Sequence, residues 1–430
     1  GSGRRGFSDG SAYAAEFHRP CGLCVAKDGS LIIADTGNHA IRRVSQLPGK
    51  AGLHVSTLVG DGKPGYADGD VLVSGGKDGG VKVWNSAFEA TAEYNFKYFE
   101  SQDIKVRSVA RNADGVLLVG TQGAEIYEVT AAGDATKLSE AHFYGELWGL
   151  STHPNAETYV TTGDDAYLRV WDVAAHKQTA KAKFDTLARA ASYSPDGSLI
   201  AVGLGGRLGG KEDGPVGQFH VLDASSLEIV HTGKDTEEWI QDIKWSPDGT
   251  TLAVSSHDNK VYLYDVAGGF SLRATCSGHS SYITHIDFTA DSKFLQSNCG
   301  AYELLFWDVG TGEQDPSGAS NLKDAEWASW TCTLGWPVQG IWPAYADGTD
   351  VNSVDRAHGG RLLALGDDSS RVKLFRYPAA TPKCAHRTAY GHSATLTKVR
   401  FSEDSRYLVS TGGADRTIIQ WRLDVDPDNE

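Results

Sequence analysis

Methionine is absent from the 430 residues, which open Gly1-Ser2-Gly3, so the sequence reads as a piece excised from something longer. Cysteine is scarce: six residues, at 21, 24, 276, 299, 332 and 384, are too few and too scattered for a disulfide scaffold. No basic-apolar-small pattern follows Gly1, so reduced, intracellular thiols are the expectation. Long apolar runs are also missing. Stretches such as Leu31-Ile32-Ile33-Ala34 are strand-sized, far short of the roughly 18–20 residues of a membrane-spanning helix. Basic residues number 40 against 55 acidic ones, a net charge of −15. That deficit argues against a nucleic-acid partner, whose affinity comes from Lys and Arg displacing counterions, and against an anionic membrane surface. Proline is modest at 13, so the 50 glycines mark many tight turns rather than collagen or disorder. No segment keeps a 3.6-residue apolar period, so almost no helix is expected. The class is all-β.

Repeats organise the chain. Residues 1–10, GSGRRGFSDG, and 60–69, GDGKPGYADG, share the pattern G-x-G-x-x-G-aromatic-x-D-G. Between them lie strand-like runs at 22–26, 31–35, 40–44 and 55–59, with the turn Lys27-Asp28-Gly29 after the first, which reads as one four-stranded blade. The stretch Leu31-Ile32-Ile33-Ala34-Asp35-Thr36-Gly37-Asn38-His39-Ala40-Ile41-Arg42 resembles the NHL-repeat family, with Ala40 in place of the third letter. Residues 1–69 are therefore expected to form an NHL-type blade fragment. After the second copy of the pattern a different sequence begins at Asp70, an abrupt seam consistent with separate segments of a larger chain.

From Asp70 an aromatic or apolar residue ends each third strand: Trp84, Tyr127, Trp171, Leu222, Tyr264, Trp307, Phe375 and Trp421. Most intervals fall near the roughly 40–45 residues of a WD40 propeller blade. The two longer ones carry insertions, 203–217 and 310–350, expected to project from a rim. Ser194-Pro195-Asp196-Gly197 and Ser246-Pro247-Asp248-Gly249 supply hairpin turns. The fold expected over 70–423 is a WD40-type β-propeller of seven or eight blades, followed by an acidic tail at 424–430.

His142, Thr161, Asp165 and Trp171 stand at offsets that His392, Thr411, Asp415 and Trp421 repeat. Both sets resemble the His-Ser/Thr-Asp-Trp tetrad of WD40 repeats. The resemblance implies that Asp orients the imidazole, the hydroxyl links to it and the indole N–H is satisfied, a structural role. A Ser/Thr-His-Asp set also suggests a hydrolase, but it recurs between blades and no G-x-S-x-G accompanies it. Another repeat keeps Ser74, Asp78 and Trp84. A further one has Ser297 and Trp307 but Ala301 where Asp is expected, so its tetrad should be open.

Other motifs read as ordinary structure. The G-x-G-x-x-G matches at Gly1 and Gly60 neither follow a strand nor open a helix, as a dinucleotide fingerprint must. Gly209-Gly210-Lys211-Glu212 lacks the Ser or Thr of a P-loop. Cys21 and Cys24, three apart in a strand, would point to opposite faces and have no partner pair to complete four ligands. Asp164-Asp165 and Asp367-Asp368 read as solvated turns. No catalytic, cofactor or metal residue is assigned.

The stretches Glu146-Leu147-Trp148-Gly149-Leu150, Gly278-His279-Ser280-Ser281-Tyr282-Ile283-Thr284-His285, Gly340-Ile341-Trp342-Pro343 and Asp347-Gly348-Thr349-Asp350-Val351-Asn352 are more specific. Together with Leu374-Phe375-Arg376-Tyr377-Pro378 they resemble the echinoderm microtubule-associated-protein-like family, whose members carry two joined propellers, and 70–423 resembles the second. The resemblance implies a non-catalytic scaffold that binds tubulin or microtubules in the cytoplasm and cytoskeleton, with the cilium or flagellum as further locations. An acidic propeller should not capture acidic tubulin tails by charge, so local aromatics are candidate anchors: Trp327, Trp330, Trp336 and Trp342. A general protein-interaction hub and a propeller enzyme with a channel metal are the alternatives.

Overall fold

The computed structural model describes all residues except 1, 3, 26–29, 39, 47–51, 60–70, 86–88, 96–101, 113, 209–210, 213–215, 344–345, 348–349 and 424–430. The second copy of the Gly-rich pattern, the seam at 69/70 and the acidic tail thus lie outside the described residues, as do the side chains of Cys21 and Cys24. The chain forms two compact units, 1–100, 105–119 and 130–133 in one, 101–104, 120–129 and 134–430 in the other. Each is taken by itself.

In the first unit, five antiparallel strands form one sheet in the order Gly10–Ser11, Leu53–Val59, Ala40–Gln46, Leu31–Asp35, Pro20–Val25. Four are the strands read from the sequence; Gly10–Ser11 adds an edge by pairing with His54 and Val55. The NHL-like residues hold the blade through one buried cation. Arg42 bonds Asp35 at 2.8 Å and Asp9 at 2.6 Å, and takes the carbonyls of Glu16 and Ser8. Its guanidinium lies 4.9 Å from the Phe7 ring centroid and 5.0 Å from that of Phe17. Asn38 donates to Asp35 and to the Gly6 carbonyl. The aromatic and Asp of the Gly-rich pattern, Phe7 and Asp9, are thus partners of Arg42. The three-stranded sheet Val71–Gly75, Gly80–Asn85, Ala90–Asn95 also lies in this unit, with Trp84 Nε1 donating to Ser74 Oγ at 2.8 Å.

The second unit is built from antiparallel sheets whose faces pack on one another. Six strands open successive sheets: Leu147–Thr152, Ala188–Tyr193, Ile240–Trp245, Ile283–Phe288, Val351–Arg356 and Leu396–Phe401. Each pairs with its second strand through the same bulge, which skips one residue near its start: Trp148, Arg189, Gln241, Thr284, Asn352 and Thr397. A bulge bends the strand and re-aims the unpaired side chain. The cores lie between sheets: Ile240, Ile243 and Trp245 with Phe219 and Val221, and Ala253 and Leu263 with Ile286 and Phe288. The Leu396–Phe401 strand lies beside Val351–Arg356 and also beside Leu147–Thr152. Thr152 Oγ1 donates to the Phe401 carbonyl at 2.9 Å, and Gln420 Nε2 to that of Val173. The last sheet therefore meets the sheet that starts at Leu147. This is a propeller-type, antiparallel β-architecture. Among the described residues, the markers from Tyr127 to Trp421 each fall on the third strand of their sheet, while Trp84 falls on the second of three.

Among the described residues, helix is confined to Gly318–Asn321 and short 3₁₀ turns at Thr36–Asn38 and Trp336–Ile341. The 310–350 insertion does not project as expected. Ala328 N–H bonds the Phe288 carbonyl, Ala290 N–H the Glu326 carbonyl, and the amides of Thr331 and Cys332 both reach Asp287 Oδ2 at 2.8 Å. The insertion carries its own apolar side and uses it on the neighbouring sheet.

Replacing Arg42 by Met leaves Asp35 buried without its cation, a loss of about 3–5 kcal/mol for breaking a buried pair. Hydrogen exchange should show Leu31–Asp35 and Ala40–Gln46 losing protection, with the Ile240–Trp245 strand unchanged.

Candidate functional site

Two constructions organise the polar residues of the second unit: tetrads between hairpins, and a cavity lined by the bulged residues. The tetrad of the Leu147–Lys183 sheet is closed. His142 Nδ1 bonds Asp165 Oδ1 at 2.8 Å, His142 Nε2 bonds Thr161 Oγ1 at 2.9 Å, and Trp171 Nε1 donates to the same hydroxyl at 2.7 Å. Arg169, fully buried, adds a bond to Asp165 Oδ2 at 2.8 Å and reaches Gln102. Burial lowers the His142 pKa despite its carboxylate partner, while the His142 and Arg169 contacts hold Asp165 below the usual carboxylate range against burial.

In the last sheet the hydroxyl differs from the one expected. His392 Nε2 and Trp421 Nε1 both meet Ser410 Oγ at 2.7 Å, whereas Thr411 faces away and bonds Thr397 Oγ1 at 3.0 Å. The cause lies ahead of the sheet. Three residues separate His392 from Leu396–Phe401, against four between His142 and Leu147–Thr152, so equal spacing from His lands one residue further along the second strand, on the opposite face. Asp415 lies 3.5 Å from His392 Nδ1, with Thr417 Oγ1 between them, at 2.8 Å from each.

The third tetrad was expected to be open because Ala301 replaces Asp. It is closed by Glu303, whose longer side chain reaches back from two residues later. His279 Nδ1 meets Glu303 Oε2 at 3.1 Å, His279 Nε2 meets Ser297 Oγ at 2.6 Å, and Trp307 Nε1 donates to Ser297 at 2.7 Å. Bonds from the Ser280 backbone and hydroxyl and from Cys299 bring the Glu303 pKa down to about 2. Of the two Asp pairs only Asp368 sits in a solvated turn; Asp164, Asp165 and Asp367 are buried. Asp164 is buried against Arg189 and the Glu146 amide, and Asp367 against Arg371 and Lys373.

The four tryptophans separate. Trp327 and Trp330, 6% and 5% exposed, pack edge to face in a core with Leu322, Val338 and Ile341. They are unavailable as surface anchors. Trp342 is half-buried and donates to the Thr333 carbonyl at 3.0 Å. Trp336 alone of the four is open, at 66% exposure.

The bulges make the second construction. A cavity of about 240 Å³ is lined by Trp148, Arg189, Gln241, Asn352 and Thr397, five of the six skipped residues, together with Glu146, His285 and Lys398. Lys398 is buried, and its nearest carboxylate is Asp242 at 4.0 Å. Burial brings its pKa down to about 8 and that of His285 down to about 3. His285 Nε2 lies 3.1 Å from the Asn352 carbonyl. The lining brings one imidazole together with cations, in place of the several histidines of a metal centre. Sequence reasoning missed this cavity, because the signal is a skipped pairing position rather than a motif.

Comparison with known proteins bears on this same region. The family model for the echinoderm microtubule-associated protein second beta-propeller matches residues 147–423. The chain belongs to the echinoderm microtubule-associated-protein-like family. NHL-repeat and WD-domain G-beta-repeat models match 17–43 and 65–85. Over 359 residues the chain is 39% identical to the 77 kDa echinoderm microtubule-associated protein of Lytechinus variegatus, covering 83% of this chain and 52% of that one. It is 38% identical over 360 residues to human echinoderm microtubule-associated protein-like 3, covering 83% and 38%. Mouse echinoderm microtubule-associated protein-like 2 is 36% identical over 414 residues, covering 93% and 61%. The chain thus spans roughly two fifths to three fifths of the length of these relatives. The family is one of non-catalytic scaffolds with a cytoskeletal association.

Ser410→Ala removes the one hydroxyl shared by His392 and Trp421 and should cost about 1–3 kcal/mol. Urea unfolding followed by tryptophan fluorescence should show a lower midpoint for Ser410→Ala than for Thr411→Ser, which keeps its hydroxyl.

Proposed function

We propose that the protein is a cytoskeletal scaffold whose propeller binds tubulin or microtubules, with no turnover of its own. The observation that carries this reading is the match of residues 147–423 to the second propeller of a family whose members are named for microtubule association. The geometry supports a binding platform. Each tetrad hydroxyl accepts an indole N–H and meets an imidazole, which ties it into the blade instead of presenting it to a substrate. The face-to-face sheets make a stiff frame on which loops and bulged residues can meet a partner.

Net charge of −15 repels the acidic surface of tubulin at long range, so contact falls to local groups. Trp336 is the anchor. It stands 66% exposed on a 3₁₀ turn whose Pro337, Val338 and Ile341 are buried, so the aromatic is presented on a braced segment. A large aromatic held this way loses little entropy on docking. The setting is the cytoplasm, on microtubules, with cilia and flagella as microtubule-rich locations.

Co-sedimentation with taxol-stabilised microtubules, paired with gel filtration against unpolymerised tubulin, tests the reading. Complex formation at micromolar protein is expected in at least one assay. Trp336→Ala should weaken it about tenfold or more, a loss of about 1.4 kcal/mol or above. Tyr302→Ala, at an exposed aromatic on another turn, should leave it unchanged. Absence of any complex leaves the interaction-hub reading in its place.

A further inference from the structure

The sheet formed by Ile283–Phe288, Phe294–Cys299 and Leu304–Asp308 differs from the other two closed tetrads at two positions at once. Two residues after the tetrad hydroxyl, the others have glycine: Gly163 after Thr161 and Gly412 after Ser410. A Cβ built on Gly163 would stand 3.4 Å from His142 Nδ1, and one on Gly412 2.6 Å from His392 Nδ1. At the same register, opposite Ile283 as Gly163 is opposite Leu147 and Gly412 opposite Leu396, this sheet has Cys299. The carboxylate has moved as well, from the position of Ala301 to Glu303. A thiol has thus been placed where glycine otherwise leaves the imidazole nitrogen to a carboxylate with a guanidinium or a hydroxyl.

The consequence is convergence. His279 Nδ1 and Cys299 Sγ each lie 3.1 Å from Glu303 Oε2, and the three atoms fall within 4.8 Å of one another. We propose that His279, Cys299 and Glu303 form a binding site for a divalent ion of the zinc class. Imidazole, thiolate and carboxylate are the ligand types zinc takes, at bond lengths of about 2.0–2.3 Å, and ligand atoms roughly 3–4 Å apart suit a tetrahedron of that size. A mixed nitrogen, sulfur and oxygen set disfavours magnesium and calcium, which take oxygen.

The surroundings hold the ligands in place. His279 Nε2 sits on Ser297 Oγ at 2.6 Å, itself bonded by Trp307, which fixes the ring with Nδ1 toward the other two ligands. Glu303 Oε1 is held by Ser280 Oγ at 2.7 Å and Oε2 by the Ser280 amide at 2.9 Å, which fixes the carboxylate with Oε2 beside the other two ligand atoms. Cys299 is buried, while the Glu303 side chain is 33% exposed, which provides an entry path and room for a water as fourth ligand. On binding, a sulfur–metal bond replaces the thiol S–H and the proton leaves to solvent, with no change of oxidation state. The bound ion would clamp the 300–303 turn to the end of the preceding hairpin.

Titrating the intact, reduced, chelator-treated chain with Co²⁺ tests this. One equivalent should produce a thiolate-to-cobalt charge-transfer band and the visible bands of a tetrahedral ion, both removed by Zn²⁺. Cys299→Ser should abolish the charge-transfer band, and Glu303→Gln should weaken binding roughly ten- to a hundredfold. Cys384→Ser and the Cys21→Ser/Cys24→Ser pair should leave both unchanged. X-ray absorption of the unmutated chain with one equivalent of Zn²⁺ gives a second reading that no variant's folding can spoil: one sulfur near about 2.3 Å with nitrogen and oxygen otherwise. No band at one equivalent, a band that survives Cys299→Ser, or a zinc shell without sulfur overturns the site.

Discussion

Sheet packed face to face on sheet is the constraint from which the rest of the second unit follows. A strand that opens a blade is covered on both sides by neighbouring sheets, so its side chains and those of the next strand are buried whether apolar or not. The Thr251–Ser256 strand is buried at every position, polar ends included. Apolar residues there gain from burial, while each polar one needs a partner or costs about 1–3 kcal/mol. The tetrads answer that requirement. Three times an imidazole, a hydroxyl and an indole N–H close on one another, each time with a carboxylate at the turn. The carboxylate comes from a different place in each sheet: Asp165 directly, Asp415 partly through Thr417, and Glu303 from two residues along. What is maintained is the closed hydrogen-bond pattern, not the residue that supplies each part.

The same constraint explains Asp287. Fully buried beneath the 310–350 insertion, it takes the amides of Thr331 and Cys332, the Ser329 hydroxyl and the Lys244 ammonium. These contacts hold its pKa well below the usual carboxylate range against burial. An insertion that must satisfy a buried charge and shelter Trp327 and Trp330 cannot hang free from a rim. Among its described residues the one open aromatic, Trp336, is left over from that packing.

Much of this was legible in the sequence for physical reasons. Ser194-Pro195-Asp196-Gly197 is a turn because Gly197 takes φ +77°, Ser194 Oγ donates to Asp196 and the Leu199 amide returns to Ser194 Oγ. The third-strand markers hold because a large side chain at that position fills the space between sheets, as Leu222, Tyr264, Trp307 and Phe375 do. Ser410 takes the place of Thr411 because the link from His392 to its first strand is one residue shorter than the link from His142, and a one-residue change flips the face. Glu303 carries no signal at the aligned position, because its longer side chain reaches back from two residues later. The bulges that point Trp148, Arg189 and Gln241 into the cavity carry no residue signature, and the meeting of the last sheet with the Leu147 sheet is a long-range pairing that periodicity cannot specify.

That meeting is the central structural claim, since it decides which sheets form the frame that carries the tetrads, the cavity and Trp336. Native-state hydrogen exchange on the intact chain, read by mass spectrometry over increasing urea, addresses it most directly. If Leu147–Thr152 and Leu396–Phe401 cover one another, their amides open together with a common free energy and a common urea dependence. Exchange of Leu147–Thr152 while Leu396–Phe401 stays protected would contradict the account.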